Sequence, residues 1–240
     1  MSNICILGDG LLASELEKQT NWDVISRKRN QFNITQPNDW YKHLLQIEHG
    51  VAIYPKYKTL INCIAYTKTY SEDKQTNWDV NLLGTKNLID FCNLWKIKLV
   101  HISTDYIYSH SKSNASELDP PSHCATWYGY TKLVSDALVQ LECQNYLVIR
   151  TTHKPKPFPY EKAWTSQVGN FDYIDVIASQ IVKLIEKEAN GVFNIGTELK
   201  SMFELAKKTN LEVLPEKTLP LLTPNDISMN ISKFINFINK

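Results

Sequence analysis

An apolar strand-like run, Asn3 to Leu7, feeds directly into Gly8-x-Gly10-x-x-Ala13 and then into a helical pattern from Leu11 to Gln19. No other feature restricts the fold so sharply. At a strand-to-helix junction the first glycine allows the tight turn. The second lets the backbone approach a pyrophosphate, and Ala13 permits close packing of helix on strand. The helix N-terminus adds amide donors and the positive end of its dipole. The turn therefore predicts a dinucleotide held at Gly8, Gly10, Leu11 and Leu12. An ordinary tight strand–helix turn is the alternative.

The rest of the chain repeats the alternation. Strands are expected at Trp22–Ser26, Thr59–Ile64, Lys98–Ile102, Tyr146–Arg150 and Val192–Ile195. Helices are expected at Pro37–His49 (stopped by Gly50), Asp73–Trp95, Tyr128–Leu141 and Tyr173–Lys187, with shorter ones at Ser201–Lys208 and Ile227–Ile238. Residues 106–126, polar and carrying Pro120-Pro121, read as a long loop of the kind that is usually functional. Strands alternating with helices predict an α/β fold, a Rossmann-type doubly wound parallel sheet with helices on both faces. Residues 1–150 are read as the NAD(P)-binding domain. Residues 151–240, interrupted early by Lys154-Pro-Lys-Pro-Phe-Pro159, are read as completing the core and forming a small C-terminal substrate-binding lobe.

At 240 residues the chain is long enough for a sizeable core. Its 26 basic and 25 acidic side chains predict no attraction to nucleic acid or membrane through net charge. The N-terminal apolar run is too short for a signal peptide, and no stretch reaches some 18 apolar residues, so no membrane span is expected. Five scattered cysteines without C-x-x-C spacing point to free thiols in a reducing, cytoplasmic setting, and neither they nor the six histidines show metal-ligand spacing.

After the second strand, an NAD enzyme usually places a carboxylate on the ribose 2′-hydroxyl. This chain has Ser26-Arg27-Lys28-Arg29. Arginine can grip a 2′-phosphate bidentately, where a carboxylate would repel it. The run therefore favours NADPH, with NADH as the alternative. A merely solvated basic turn is the bland reading.

Y-x-x-x-K occurs four times: Tyr54/Lys58, Tyr70/Lys74, Tyr108/Lys112 and Tyr128/Lys132. Only Tyr128/Lys132 opens a helix after a strand that ends in hydroxyl residues, Ser103-Thr104-Asp105. On a helix the i and i+4 side chains share a face. Tyr128 can then protonate a carbonyl oxygen as hydride reaches its carbon. An adjacent Lys132 ammonium is expected to lower the phenol pKa and to hold the nicotinamide ribose. Thr104 can hydrogen-bond the developing oxyanion. Ser103 is expected to point away. Asp105 either orients substrate or caps the loop. A partly buried aromatic, a solvated lysine and a locally satisfied hydroxyl are the alternative to catalysis by these three.

These residues resemble the extended short-chain dehydrogenases/reductases, most closely the dTDP-4-dehydrorhamnose reductase family. The matching stretches are Ile6–Ala13, Phe32–Thr35, Asn62–Thr67, Val80–Leu88, Val100–Ile107 and Tyr128–Leu133, with weaker echoes at Gln167-Val-Gly, Asp175–Ala178, Phe193–Gly196 and Ser228–Lys233. The resemblance implies NADPH-dependent reduction of the 4-keto group of a nucleotide-activated 4-keto-6-deoxy sugar, as in L-rhamnose-type biosynthesis. It implies that Thr104, Tyr128 and Lys132 are catalytic. It sets Cys63, Ile64, Ala65 and Tyr66 against the cofactor, Asn33 and Ile34 near the adenine, and Asn81 on a helix beneath the site. Tyr106 and His153 join Thr104, Asp105 and Tyr128 on the substrate side. A homodimer through the helices at Asp73–Trp95 and Tyr128–Leu141 is implied by the same analogy.

The chain departs from the family pattern in four places, one of them a shortened substrate segment between Lys154 and Gln167. The glycine turn is one residue shorter. Asn33 replaces an aspartate. Thr152-His153-Lys154 stands where an aromatic usually follows the Arg-Thr pair. Two other functions stay open: a bifunctional epimerase/reductase, with Cys124 and His153 as acid/base candidates, and a non-catalytic NADP-binding regulatory subunit like the beta subunit of methionine adenosyltransferase.

Overall fold

The computed structural model describes residues 2–119 and 125–240. The first half runs β1 (Ile4–Leu7), α1 (Leu11–Gln19), β2 (Asp23–Ile25), α2 (Arg27–Asn30), α3 (Tyr41–Leu44), β3 (Leu45–Glu48), β4 (Val51–Pro55) and β5 (Thr59–Asn62). One continuous helical rod follows: α4 (Lys74–Thr76), a π-helical segment (Asn77–Leu83) and α5 (Gly84–Trp95). Then come β6 (Lys98–Ile102), a 3-10 turn (Asp105–Tyr108), α6 (Trp127–Glu142) and β7 (Tyr146–Arg150). The remainder holds short strands β8 (His153–Lys154), β9 (Lys162–Trp164), β10 (Val168–Gly169) and β11 (Asp172–Tyr173), then α7 (Ile174–Glu186) and β12 (Gly191–Asn194). It ends with β13 (Lys200–Ser201), α8 (Met202–Lys207), β14 (Leu214–Glu216), β15 (Asp226–Ile227) and α9 (Ser232–Ile238).

Six strands form one sheet in the order β12-β7-β6-β5-β1-β2, every pair parallel. Such a sheet is covered on both faces, which is why β5, β6 and β7 read as near-continuous apolar runs. One face packs Leu44, Leu60, Leu88, Leu99 and Val148; the other packs Leu16, Ile61, Ile149, Ile177 and Ile181. Helix α7 shows why. Ile174, Ile177, Ala178, Ile181, Leu184 and Ile185 recur at helical spacing and are all buried, the face lying against α1 and the sheet. Each of these leucines and isoleucines contributes roughly 1.5–3 kcal/mol of burial. The strand order reverses between β1 and β5, and open parallel sheets bind ligands at such a switch point, beyond the carboxyl ends of the strands. Among the described residues no helix is long and apolar enough to cross a membrane.

Three expectations need correction. The helix expected at Pro37–His49 ends at Leu44, and Leu45–Pro55 forms an antiparallel hairpin, β3–β4. His49 and Gly50 both have positive φ (49° and 78°), the signature of a two-residue hairpin turn whose twist matches the strands. Gly50 thus turns a hairpin instead of stopping a helix. The helix expected at Ile227–Ile238 starts only at Ser232, because Ile227 pairs with Gly169 and Met229 bridges to Ala115. The long loop is not structureless. It opens with the 3-10 turn, and Tyr108 is buried with its hydroxyl donating to Asn194 Oδ1 at 3.0 Å. Pro120, Pro121 and Cys124 lie outside the described residues.

Candidate active site

A cleft of about 600 Å³ opens at the switch point. Its cofactor end is lined by Gly8, Asp9, Gly10, Leu11 and Leu12 from the β1–α1 turn, by Arg27, and by Phe32, Asn33 and Ile34. Cys63, Ile64 and Ala65 follow β5 on the opposite wall. Gly8 has φ of +125°, a conformation open to glycine, and its amide donates to Ile25 O at 2.9 Å. Gly10 caps α1, and a Cβ built on it meets no protein atom within 4 Å. The amides of Leu11, Leu12 and Ala13 precede the first helical hydrogen bond, Ser14 N to Gly10 O. No carboxylate sits in the first turn of α1. Open space over a glycine, with helix amides around it and the one carboxylate of the β1–α1 turn, Asp9, turned to Lys28 N, fits a pyrophosphate.

The basic run divides by direction. Arg27 lines the cleft. Ser26 is buried as the α2 cap, its Oγ accepting from Arg29 N at 3.2 Å, and it does not line the cleft. Lys28 is exposed outside it, its amide donating to Asp9 Oδ2 at 3.4 Å. Arg29 turns back to form a bidentate pair with Glu17 at 2.5 and 2.8 Å. Tyr66 also points away, its hydroxyl 3.1 Å from Ser71 Oγ. Its backbone is clamped by buried Asn81, whose Oδ1 accepts from Tyr66 N (2.7 Å) and whose Nδ2 donates to Tyr66 O (3.2 Å). Asn81 thereby fixes the course of the cleft wall at residues 63–66.

The other end brings together Ser103, Thr104, Tyr106, Tyr128, Lys132, Thr151, Thr152, His153 and Lys154. Thr104 donates to Asp105 Oδ1 at 3.2 Å and accepts from Tyr106 N at 3.3 Å, and its hydroxyl tempers the rise of the neighbouring Tyr128 pKa. Asp105 is fully buried beneath the cleft, where its carboxylate also accepts from the Thr152 hydroxyl. Burial raises its pKa against those two hydrogen bonds and the nearby Lys154. Asp105 thus supports Thr104 and Thr152 from below and does not face the cleft. Tyr106 packs edge-on against Tyr128, with ring centroids 6.4 Å apart. The hydroxyl of Tyr70 lies 3.1 Å from that of Tyr106 and 2.5 Å from Thr223 Oγ1, so a chain of hydroxyls ties cleft-lining Tyr106 to the C-terminal segment.

Two details differ from the sequence reading. Ser103 lines the same cleft as Thr104, and its buried Oγ has no hydrogen-bond partner among the described residues. Strand alternation ends with β6 at Ile102, so it does not carry Ser103 to the far side. Nor does Lys132 lower the Tyr128 pKa: burial pushes the phenol up to about 12, with only Thr104 opposing. The Lys132 amine is drawn inward, donating to Ile102 O at 2.6 Å. Burial pushes its own pKa down to about 8, against the pull of Asp136 and Cys63. His153 is pushed down to about 4 by burial and by Lys154, which makes it a neutral imidazole at pH 7. Lys154, another cleft-lining cation, was not singled out from the sequence because nothing in its spacing marks it.

Residues 2–153 match the model of the RmlD substrate binding domain family. The chain is 32% identical over 95 residues to a dTDP-4-dehydrorhamnose reductase from Mycolicibacterium smegmatis, a match covering 38% of this chain and 29% of that relative, less than a third of its length. It is 22% identical over 228 residues to the spore coat polysaccharide biosynthesis protein SpsK of Bacillus subtilis, covering 86% of this chain and 77% of the relative. Its fold is similar to that of a dTDP-4-dehydrorhamnose reductase from Bacillus anthracis solved in complex with NADP, with a TM-score of 0.81, 22% identity and coverage of 98% of this chain and 92% of that one. With the glycine turn, the parallel sheet and the Thr104–Tyr128–Lys132 cluster in one cleft, the chain belongs to the RmlD substrate-binding-domain family of extended short-chain dehydrogenases/reductases.

Proposed function

We propose that this chain is an NADPH-dependent reductase of the 4-keto group of a nucleotide-activated 4-keto-6-deoxy sugar. One observation carries the reading. A single cleft holds a dinucleotide turn at one end and Thr104, Tyr128 and Lys132 at the other. When bound, the reduced nicotinamide supplies a hydride to the carbonyl carbon. The chain's own residues handle the oxygen. Tyr128, kept protonated by burial, donates its phenolic proton to the oxygen as charge develops there. Thr104 supplies a second donor when its single hydroxyl hydrogen turns from Asp105 Oδ1 to that oxygen. Lys132, anchored on Ile102 O, would hold the nicotinamide ribose.

Residues Gly8–Leu12 hold the pyrophosphate, and Arg27 holds the 2′-phosphate that selects NADPH over NADH. The family likeness supports a nucleotide-sugar substrate, and the relatives named for dTDP-4-dehydrorhamnose support dTDP as its carrier.

The test is NADPH oxidation with dTDP- and UDP-linked 4-keto-6-deoxyhexoses, wild type beside Tyr128→Phe. We expect turnover that falls by about 10²–10⁴-fold in the variant, the range for a lost general acid, while NADPH binding is kept. Tight NADPH binding without turnover on any such sugar would overturn the reading.

A further inference from the structure

Beneath the cleft floor lies a buried row of polar side chains, Asn62, Thr85, His101 and Ser135, that the proposed chemistry does not use. His101 is fully buried on β6. Its Nε2 lies 3.3 Å from Lys132 Nζ and 3.5 Å from Ser135 Oγ, and its Nδ1 lies 3.5 Å from Asn62 Nδ2.

The protons of this row follow from its ends. Asn62 Oδ1 accepts from Ile64 N at 3.1 Å, so the Asn62 amide nitrogen faces inward. Thr85 donates its hydroxyl to Asn81 O at 2.8 Å and can only accept from Asn62 Nδ2, at 3.4 Å. The second hydrogen of Asn62 Nδ2 is left for His101 Nδ1. A neutral imidazole has one donor and one acceptor nitrogen. With Nδ1 accepting, the ring proton sits on Nε2. Ser135 donates to Lys132 O at 3.0 Å, which leaves its oxygen able to accept that proton. Burial and the neighbouring Lys132 hold the His101 pKa well below its ordinary range, so the ring is neutral.

We infer that His101 is a positioning residue for Lys132, held by Asn62 as the Nε2–H form so that it offers the lysine no acceptor on its inner side. Lys132 then uses one hydrogen on Ile102 O and turns the others to the cleft. The Nε2–H dipole also opposes an ammonium and adds to burial in favouring the neutral amine. Asp136 and Cys63 act in the other sense, but Asp136 is already engaged by Arg150. Tyr128, one turn earlier on α6, is the remaining titratable group on that helix face. The catalytic use of Lys132 rests on the reductase reading; the state of the ring does not.

Long-range proton–nitrogen NMR of the ¹⁵N-histidine-labelled wild-type chain reads the ring directly, with His101→Gln assigning the signals. A proton on Nε2 at neutral pH is expected; a proton on Nδ1 overturns the inference. In ¹⁵Nζ-lysine-labelled protein, the Lys132 midpoint is expected to rise by about one pH unit in His101→Gln, because glutamine can turn a carbonyl oxygen to the ammonium. An unchanged midpoint in the folded variant also overturns it. If the variant does not fold, the wild-type ring state decides alone, its signals assigned through the contacts of His101 with Lys132. An Nε2–H ring in a chain that never oxidises NADPH would sink the reductase reading and leave this one standing.

Discussion

Arg150 and Asp136 meet as a bidentate ion pair sealed inside the protein, Nε and Nη2 donating to the two carboxylate oxygens at 3.0 and 2.9 Å, with the side chains 3% and 1% exposed. Arg150 Nη1 also donates to the Tyr108 hydroxyl at 2.6 Å and to Glu117 O at 3.3 Å. One guanidinium thus ties β7 to α6 and to the loop after β6. Asp136→Ala leaves a buried cation without its counter-charge, which costs about 3–5 kcal/mol. Urea unfolding should show a clearly lower midpoint; an unshifted one would contradict the role given to this pair.

The two glycines of the β1–α1 turn should fail differently. A Cβ at Gly10 touches nothing in the protein, so Gly10→Ala should melt near the wild-type temperature while binding NADPH about tenfold or more weakly, a loss of about 1.4 kcal/mol or more. Gly8 has positive φ, and a Cβ there would lie 3.3 Å from Ile64 Cγ1, so Gly8→Ala should lose stability as well. Thermal melts beside NADPH titrations separate the two. Equal melting losses would show that Gly10 is constrained by the fold.

Arg27 and Arg29 provide a matched pair of charge removals. Arg27→Ala should reduce the preference for NADPH over NADH by roughly ten- to a hundredfold, the worth of about 1.5–3 kcal/mol for a charged hydrogen bond. Arg29→Ala breaks only the exposed pair with Glu17 and should change affinity and stability little. Competition between the two nicotinamides, measured by fluorescence, checks both. A larger effect at Arg29 would reverse the assignment.

Stability should carry a lysine signature at alkaline pH. Burial holds Lys132 near 8 in the folded chain against an ordinary value of 10.5. Between those values the unfolded chain binds more protons, so stability rises with pH from about 8 to about 10.5 and is level on this account below about 8. Lys132→Met removes the slope. Its stability relative to wild type should therefore be greatest at neutral pH and should shrink by about 3 kcal/mol on approach to pH 10.5. Urea unfolding of both proteins across that range makes the comparison, and parallel curves would refute it.

Local spacing was enough to read the parallel sheet and the glycine turn, because both depend on which residues follow one another. Leu45–His49 reads as helix in the sequence because its apolar residues fit a helical stripe up to Ile47, and only the paired positive φ of His49 and Gly50 decides for a hairpin. The basic run was legible as a run, but not in its directions. Arg27 and Arg29 part company because Glu17, twelve residues away on α1, captures one of them. His101 and Lys154 carry no sequence signal, since a histidine inside an apolar strand and a lysine before a proline acquire meaning only from what the fold brings beside them. The inward draw on Lys132 likewise depends on Ile102 O, thirty residues earlier in the chain.

The π-helical segment Asn77–Leu83 has a consequence for how this chain can vary in length. Within it Asn77 and Asn81 are both buried, and Asn81 reaches both Tyr66 and the Thr131 hydroxyl of α6. A wide turn of this kind accommodates one residue more than a regular helix between the same two flanks. Removing a single residue would restore ordinary pitch and rotate everything on one side by about 100°, carrying Asn81 away from the Tyr66 backbone it clamps. A side chain such as Trp78, 39% exposed, can change with little effect. The number of residues in this stretch is therefore the inherited quantity, and insertions or deletions here should be far rarer among working versions of the protein than substitutions.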